Sequence, residues 1–354
     1  MEQRELGDSG VEVSTVGFGA WVVGTDWWGD RSREDGVRML GHAIDSGVTF
    51  IDTGDVYGHG DSEEVVGEAI EGRREEVTLG SKVGYDFYNN PQAGHGELPK
   101  ELNPDYIETA VERSLDRLGV EKLDVLQLHN ANVEEVTPEI VNTLENLRDD
   151  GLVDALGWAL GPSIGWIAEG ERAIELDAFD AVQVVYNLFE QTPGKHFVDE
   201  IERTNSDTSV LARVPHSSGL LNEQVTPETE LDEGDHRGFR PDAWYETGWE
   251  KVESIRFLER DGARTMGQAA IQFLLAHDAV ASVTPTFRTE ADIDEWAGAP
   301  DTPPLSEEEY ERVQELYADN FGIERDDGMN PEDFRTSVDG EDLERAGVLP
   351  ASGD

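Results

Sequence analysis

Cysteine is absent from the 354 residues. That excludes disulfides, a thiolate nucleophile and any Cys-ligated metal. Lysine is nearly as scarce: the chain has five, and Lys plus Arg total 27 against 78 Asp plus Glu, a formal net charge of −51. So few cations argue against nucleic acid or an anionic membrane as partner, because both are recognised through basic patches. No apolar run reaches the roughly 18 residues that a membrane-spanning helix needs. The opening MEQRELGDSG has no basic region followed by an apolar stretch, so no signal peptide is expected and the cytoplasm is the expected location.

What is abundant is acid, spread along the whole chain rather than gathered in one tail. Such a surface repels itself at low salt. Molar salt shortens the Debye length to roughly 3 Å and removes most of that repulsion. The composition reads as adaptation to a salt-saturated cytosol, and the scarcity of Lys weighs against an ordinary acidic protein. With 37% hydrophobic residues a large core is available.

The apolar residues fall into eight short runs: Val13–Gly19, Val48–Gly54, Val77–Val83, Leu123–His129, Val153–Ala159, Ala181–Asn187, Ser209–Pro215 and Ala279–Pro285. Their length and β-branched content suit strands buried on both faces. Helical stretches separate or follow them, among them Arg33–Ser46, Ser62–Glu71, Asn103–Leu118, Thr137–Asp149, Ser163–Leu176, Lys195–Thr204, Gly267–His277 and Ser306–Asn320. Ser62-Glu63-Glu64 and Asn103-Pro104-Asp105 read as helix starts, and Gly119 as a helix end. Strict alternation predicts a (β/α)8 TIM barrel over 1–322. A doubly wound sheet is the alternative, but Gly17, Gly19 and Gly24 miss its G-x-G-x-x-G spacing. The pattern loosens in three places: a polar loop 84–102 after strand three, an insertion 221–262 after strand seven, and an acidic tail 323–354. The two loops follow strands, so they are expected to wall the catalytic face, with Trp244, Tyr245 and Trp249 as wall or as packing of the insertion.

A barrel's chemistry comes from the C-terminal ends of its strands. Those ends carry Asp52 and Tyr57 after strand two, Lys82 on strand three and His129 on strand four. Together they suit proton transfer to a carbonyl oxygen. A free Tyr, with a pKa of about 10, is a poor acid near neutrality. An adjacent ammonium favours its phenolate. Lys82 fits that part, Asp52 would hold Lys82, and His129 would orient the carbonyl. Singly, each residue has a plainer reading. Asp52 could cap a strand end, Tyr57 pack as an aromatic, Lys82 form a Schiff base as in barrel aldolases, and His129 bind a metal or sit in the core. Asp55 could join Asp52 as a metal ligand, but no second His stands at ligand spacing and no metal is expected.

These residues resemble the catalytic tetrad of the aldo-keto reductase superfamily, with a haloarchaeal-type composition. The likeness covers about 3–322. It rests on FIDTGDVYGHGDSE (50–63), LGSKVG (79–84), RSLDRLGVEKLDVLQLH (113–129), VQVVYNLFEQ (182–191) and DNFG (319–322). It implies Tyr57 as general acid/base, Asp52 and Lys82 tuning it, His129 orienting a small-molecule carbonyl substrate, and hydride from NADPH, with NADH possible.

The resemblance also implies cofactor residues. Gly19, Ala20 and Trp21 would lie beside the nicotinamide with Asp52, and Gln183 would bind its carboxamide. The usual Ser-Asn pair after strand five is replaced by Ala159-Leu160. Arg213 stands where an aromatic often stacks on the nicotinamide. It can stack too, though it would repel the oxidised, cationic ring. The backbone of His216 and Ser218 would cradle the pyrophosphate. The segment Thr286, Phe287, Arg288 with Asp292, Glu295 and Trp296 would meet the adenosine end. Asp292 would disfavour a 2′-phosphate and Arg288 would favour it. Two rivals stay open: a Schiff-base barrel aldolase using Lys82, and a non-catalytic nicotinamide-binding regulatory subunit. Composition and motifs say nothing of oligomeric state.

Overall fold

The computed structural model describes residues 1–25, 31–90, 98–161, 166–231 and 235–324. A hairpin of β1 (Gln3–Glu5) and β2 (Glu12–Ser14) comes first. Then follow β3 (Phe18–Gly19), α1 (Trp21–Gly24), α2 (Arg33–Asp45), β4 (Phe50–Asp52), α3 (Asp61–Ala69), β5 (Thr78–Val83), α4 (Pro104–Leu118), β6 (Leu123–His129) and α5 (Pro138–Asp149). The chain continues with β7 (Val153–Ala159), α6 (Ile167–Glu175), β8 (Ala181–Val185), α7 (Gly194–Thr204), β9 (Ser209–Arg213), α8 (Asp242–Ser254), α9 (Met266–Leu275), β10 (Val280–Thr284), α10 (Glu290–Ala297) and α11 (Glu307–Ala318).

Strands β3 to β10 form one eight-stranded parallel sheet in sequential order. A parallel bridge between Val16 and Val283 joins its two edges, with Gly17 N–H donating to Val283 O at 2.9 Å and Val283 N–H to Thr15 O at 2.9 Å. The sheet is thus a closed (β/α)8 barrel. Phe50, Val125, Ala155, Ala181, Leu211 and Ala281 pack as one cluster of buried strand residues, and Leu6 and Val13 of the hairpin join it. The first expected strand, 13–19, is therefore two elements: β2 belongs to the hairpin and β3 to the barrel. Ser14 divides them. Its hydroxyl donates to Val16 O and accepts from the Thr49 and Phe50 amides.

Helix signals behave unevenly. Asn103 caps α4 through the Tyr106 amide, Pro104 opens the helix, and Gly119 ends it at φ 67°. The start expected at Ser62 is corrected. Gly60, at φ 103°, precedes α3, and no side chain caps it. Ser62 is buried and bonds Thr53 and the Ala20 carbonyl. The insertion 221–262 carries helix α8, whose Trp244 is buried against Arg240 and Tyr245. Packing thus accounts for Trp244 better than exposure to substrate. The tail beyond 324 lies outside the described residues, as does part of the 84–102 loop. No helix among the described residues is long and apolar enough to cross a membrane.

Candidate active site

The barrel's upper interior is polar. Lys82, buried on β5, donates to Asp52 Oδ2 at 2.7 Å and to the Thr53 carbonyl at 2.7 Å. Gln127 on β6 donates to Asp52 Oδ1 at 2.7 Å, and Gln183 on β8 to Oδ2 at 3.1 Å. Gly157 makes room for this arrangement, since a Cβ there would stand 2.8 Å from Gln127 Cγ. Burial works to lower the Lys82 pKa. The charge of Asp52 and then that of Tyr57, with hydrogen bonds to both, overcome it and raise the pKa above that of an ordinary lysine. Lys82 is accordingly a fixed ammonium at neutral pH.

Tyr57 follows β4 in a short turn where Gly58 has φ 60° and would place a Cβ 1.8 Å from the Gly24 carbonyl. That close approach admits only glycine. It sets the half-buried Tyr57 ring with its centroid 5.0 Å from Lys82 Nζ. Trp21 stacks on the ring at 6.0 Å and 21°. His129, at the end of β6, meets Tyr57 edge-on at 5.6 Å and Tyr85 at 5.0 Å. Burial first, then the charges of Lys82, Arg213 and Lys100, push the His129 pKa well below 6.5. The imidazole is neutral at pH 7. Its Nδ1 is buried without a hydrogen-bond partner among the described residues. A neutral imidazole with spare hydrogen-bonding capacity at a tyrosine suits a carbonyl oxygen as third party.

The four residues named from the sequence thus share one mouth. The cofactor residues divide. Gly19 and Ala20 line β3 and its end, where Ala20 N–H donates to Asp52 O at 2.9 Å. Ala159 and Leu160 are buried. Arg213, half-buried at the end of β9, donates to Leu160 O at 2.8 Å and Gly161 O at 2.9 Å. Gln183 commits one amide donor to Asp52. His216 bonds Gly267 O and packs on Trp296 at 4.0 Å, and burial pushes its pKa down to about 4. Ser218 has φ 54°, and the amides of its neighbours Ser217, Gly219 and Leu220 are bonded within that turn.

Thr286 is half-buried. Phe287 and Trp296 are buried and stack on each other at 5.4 Å, so their side chains serve the core. Glu295 accepts from Thr265 at the start of α9. Asp292 accepts from the Arg288 and Thr289 amides, both at 2.9 Å, as half of the capping box of α10. Two residues were missed from the sequence. Gln127 was read only as strand. Arg31, which donates to the Arg288 carbonyl at 2.9 Å, stands 257 positions away from its partner.

The aldo/keto reductase family matches residues 15–318. "Uncharacterized oxidoreductase YqkF" of Bacillus subtilis is 28% identical over 89% of this chain and 96% of its own length. "Aldo-keto reductase yakc [NADP(+)]" of Schizosaccharomyces pombe is 30% identical over 77% of this chain and 79% of its own. Among solved structures, aldo-keto reductase AKR11C1 from Bacillus halodurans (holo form) superposes with a TM-score of 0.73 at 26% identity, over 89% of this chain and 96% of that one. The glycerol dehydrogenase AKR11B4 from Gluconobacter oxydans does so with a TM-score of 0.76 at 25% identity, over 93% and 98%. The chain belongs to the aldo/keto reductase family. It is an NAD(P)-dependent oxidoreductase acting on carbonyl compounds.

Proposed function

We propose that this enzyme reduces small aldehydes or ketones with a preference for NADPH, and that Tyr57 gives the proton. The observation that carries this reading is the buried Lys82–Asp52 pair beside the Tyr57 ring, with a neutral His129 on the ring's edge. The Lys82 ammonium favours the phenolate that remains once Tyr57 has given up its proton. Asp52 and the Thr53 carbonyl hold that ammonium in place, and Gln127 and Gln183 in turn fix Asp52. His129 donates to the carbonyl oxygen and fixes its angle. When bound, the nicotinamide supplies the hydride, which no side chain can provide. Gly19, Ala20, Trp21, Gln183 and Arg213 would hold its ring, the 216–218 turn its pyrophosphate, and Thr286, Arg288 and Arg31 the adenosine end.

The aldolase reading needs a neutral Lys82 amine as nucleophile. The raised pKa and the Asp52 pair oppose it. The acid-rich composition supports work in a concentrated-salt cytoplasm. Replacing Tyr57→Phe tests the central role. Turnover should fall on the order of 10²–10⁴-fold while the affinity for NADPH stays near wild type. Reduction within tenfold of wild type would remove Tyr57 from its role.

A further inference from the structure

Among the described residues, one cation at the mouth of the barrel has no carboxylate in direct contact, though Asp52 and Glu190 act on it from a distance. The Lys82 ammonium is matched by Asp52. Glu190 is matched by Arg240 at 2.6 Å. Lys100 pairs with Glu135 at 3.4 Å. His129 is neutral. Arg213 remains. Its Nη2 is pinned by the Leu160 and Gly161 carbonyls, and it forms no ion pair with a carboxylate among the described residues. In a chain with 78 acids and 27 cations that is out of keeping. Two neutral carbonyls fix the guanidinium without cancelling its charge, and an arginine does not lose its proton in a protein.

Arg213 is the last residue of β9, at the same C-terminal end of the barrel from which Tyr57 follows β4. Their charges interact, as do those of Arg213 with Asp52 and Tyr85. A ring that delivers hydride to a carbonyl held at Tyr57 must stand about 3–3.5 Å from the reacting carbon. When bound, it would therefore lie within the field of Arg213. That ring is neutral when reduced and cationic when oxidised.

We propose that Arg213 makes the site select by redox state. It weakens binding of the oxidised nicotinamide relative to the reduced one, so the enzyme fills with reduced cofactor and sheds the oxidised product. This rests on the nicotinamide reading above and adds to it a direction of use. Two unit charges about 6 Å apart at an effective dielectric of about 20 repel enough for a hundredfold effect on affinity as an upper bound. A tenfold preference would raise the midpoint potential of the bound two-electron couple by about 30 mV.

The test is the ratio of dissociation constants for NADP+ and NADPH, read by protein fluorescence in molar KCl without substrate. Wild type should bind NADPH at least tenfold more tightly. Arg213→Met should bring the ratio toward unity by strengthening NADP+. Arg213→Lys, which keeps the charge, should retain most of the ratio. Arg213→Gln serves in place of the Met variant if that one does not fold. Equal wild-type affinities, or an unchanged ratio in Arg213→Met or Arg213→Gln, would overturn the proposal. So would an equal weakening of both forms, which marks a purely structural arginine. A wild type that binds neither form would overturn the nicotinamide reading itself, a different failure from a ratio of one.

Discussion

Lys82 and Asp52 meet at 2.7 Å with side chains only 1% and 7% exposed, so the candidate active site is built on an ion pair sealed from water. Removing one member of such a pair strands the other, a change that costs about 3–5 kcal/mol in buried settings. The pair also fixes the ammonium beside Tyr57. Both consequences can be measured, and they separate stability from chemistry.

We predict that Lys82→Met cripples turnover and moves the alkaline limb of the pH–rate profile for carbonyl reduction, the limb on which a general acid loses its proton. The substitution leaves Asp52 with Gln127 and Gln183 as donors but takes the cation from the Tyr57 ring. A Lys82→Met enzyme that keeps the wild-type profile, whatever its rate, would show that Lys82 does not tune Tyr57.

Asp55 carries a second buried carboxyl, two residues before Tyr57, and neither oxygen has a well-formed hydrogen bond among the described residues. Burial, with the charge of Glu63 adding to it, pushes its pKa well above the usual carboxylate range. Arg117, the Val56 amide and Lys82 offset this only in part. A carboxyl whose folded pKa is raised contributes stability below its unfolded pKa of about 3.9, and that contribution is lost as pH rises. Asp55→Asn removes the loss. The variant should melt close to wild type near pH 4 and above it at pH 7, by up to about 1.4 kcal/mol per pH unit of the window. A melting difference that is the same at both pH values would contradict this.

The barrel and its four mouth residues were legible because their signals are local. A short apolar run ending in a polar residue marks a strand end, and β6 and β7 fall on the expected residues. What stayed hidden depends on contacts distant in sequence. Ser62 looks like a cap, yet it is recruited into the core by Thr53 and Ala20. Gln127 reads only as a strand residue and Gln183 only as a carboxamide partner, until closure brings both onto Asp52. The α1 and α10 helices are too short for a periodic pattern to announce them. Asp292 looked like a cofactor determinant, and it also completes a capping box that its own local sequence, Thr289 to Asp292, could have revealed.

We predict that folding requires high salt. Ion pairs such as Arg33 with Glu64 and Glu68 satisfy some of the acids. The 78 acids outnumber the 27 Lys and Arg by 51, so most of them have no cation to pair with. Between about 0.1 M and several molar KCl the Debye length falls from ~10 Å to below ~3 Å. The melting temperature should climb across that range. A flat dependence would remove the reading of the composition as salt adaptation.

The last prediction concerns cofactor choice at α10. A 2′-phosphate placed there would meet Asp292, whose carboxylate already takes the Arg288 and Thr289 amides. Those N–H groups are therefore not free for an anion. What remains for the phosphate is the Arg288 side chain and, beside it, Arg31, whose guanidinium is tied to the Arg288 carbonyl. Burial lowers the Arg31 pKa, and the nearby charges of Arg288 and Arg38 lower it further against Asp35 and Asp292. Two cations held close at this cost would be relieved by a doubly charged phosphate between them. We therefore predict a modest NADPH preference that needs both arginines. Arg288→Ala should weaken NADPH by about 1.5–3 kcal/mol, the worth of a charged hydrogen bond, with far less effect on NADH. Arg31→Ala should act in the same sense, and the double variant should lose the preference. Equal losses for both cofactors would mean that neither arginine reads the phosphate. A wild-type preference for NADH would mean that Asp292 sets the specificity instead.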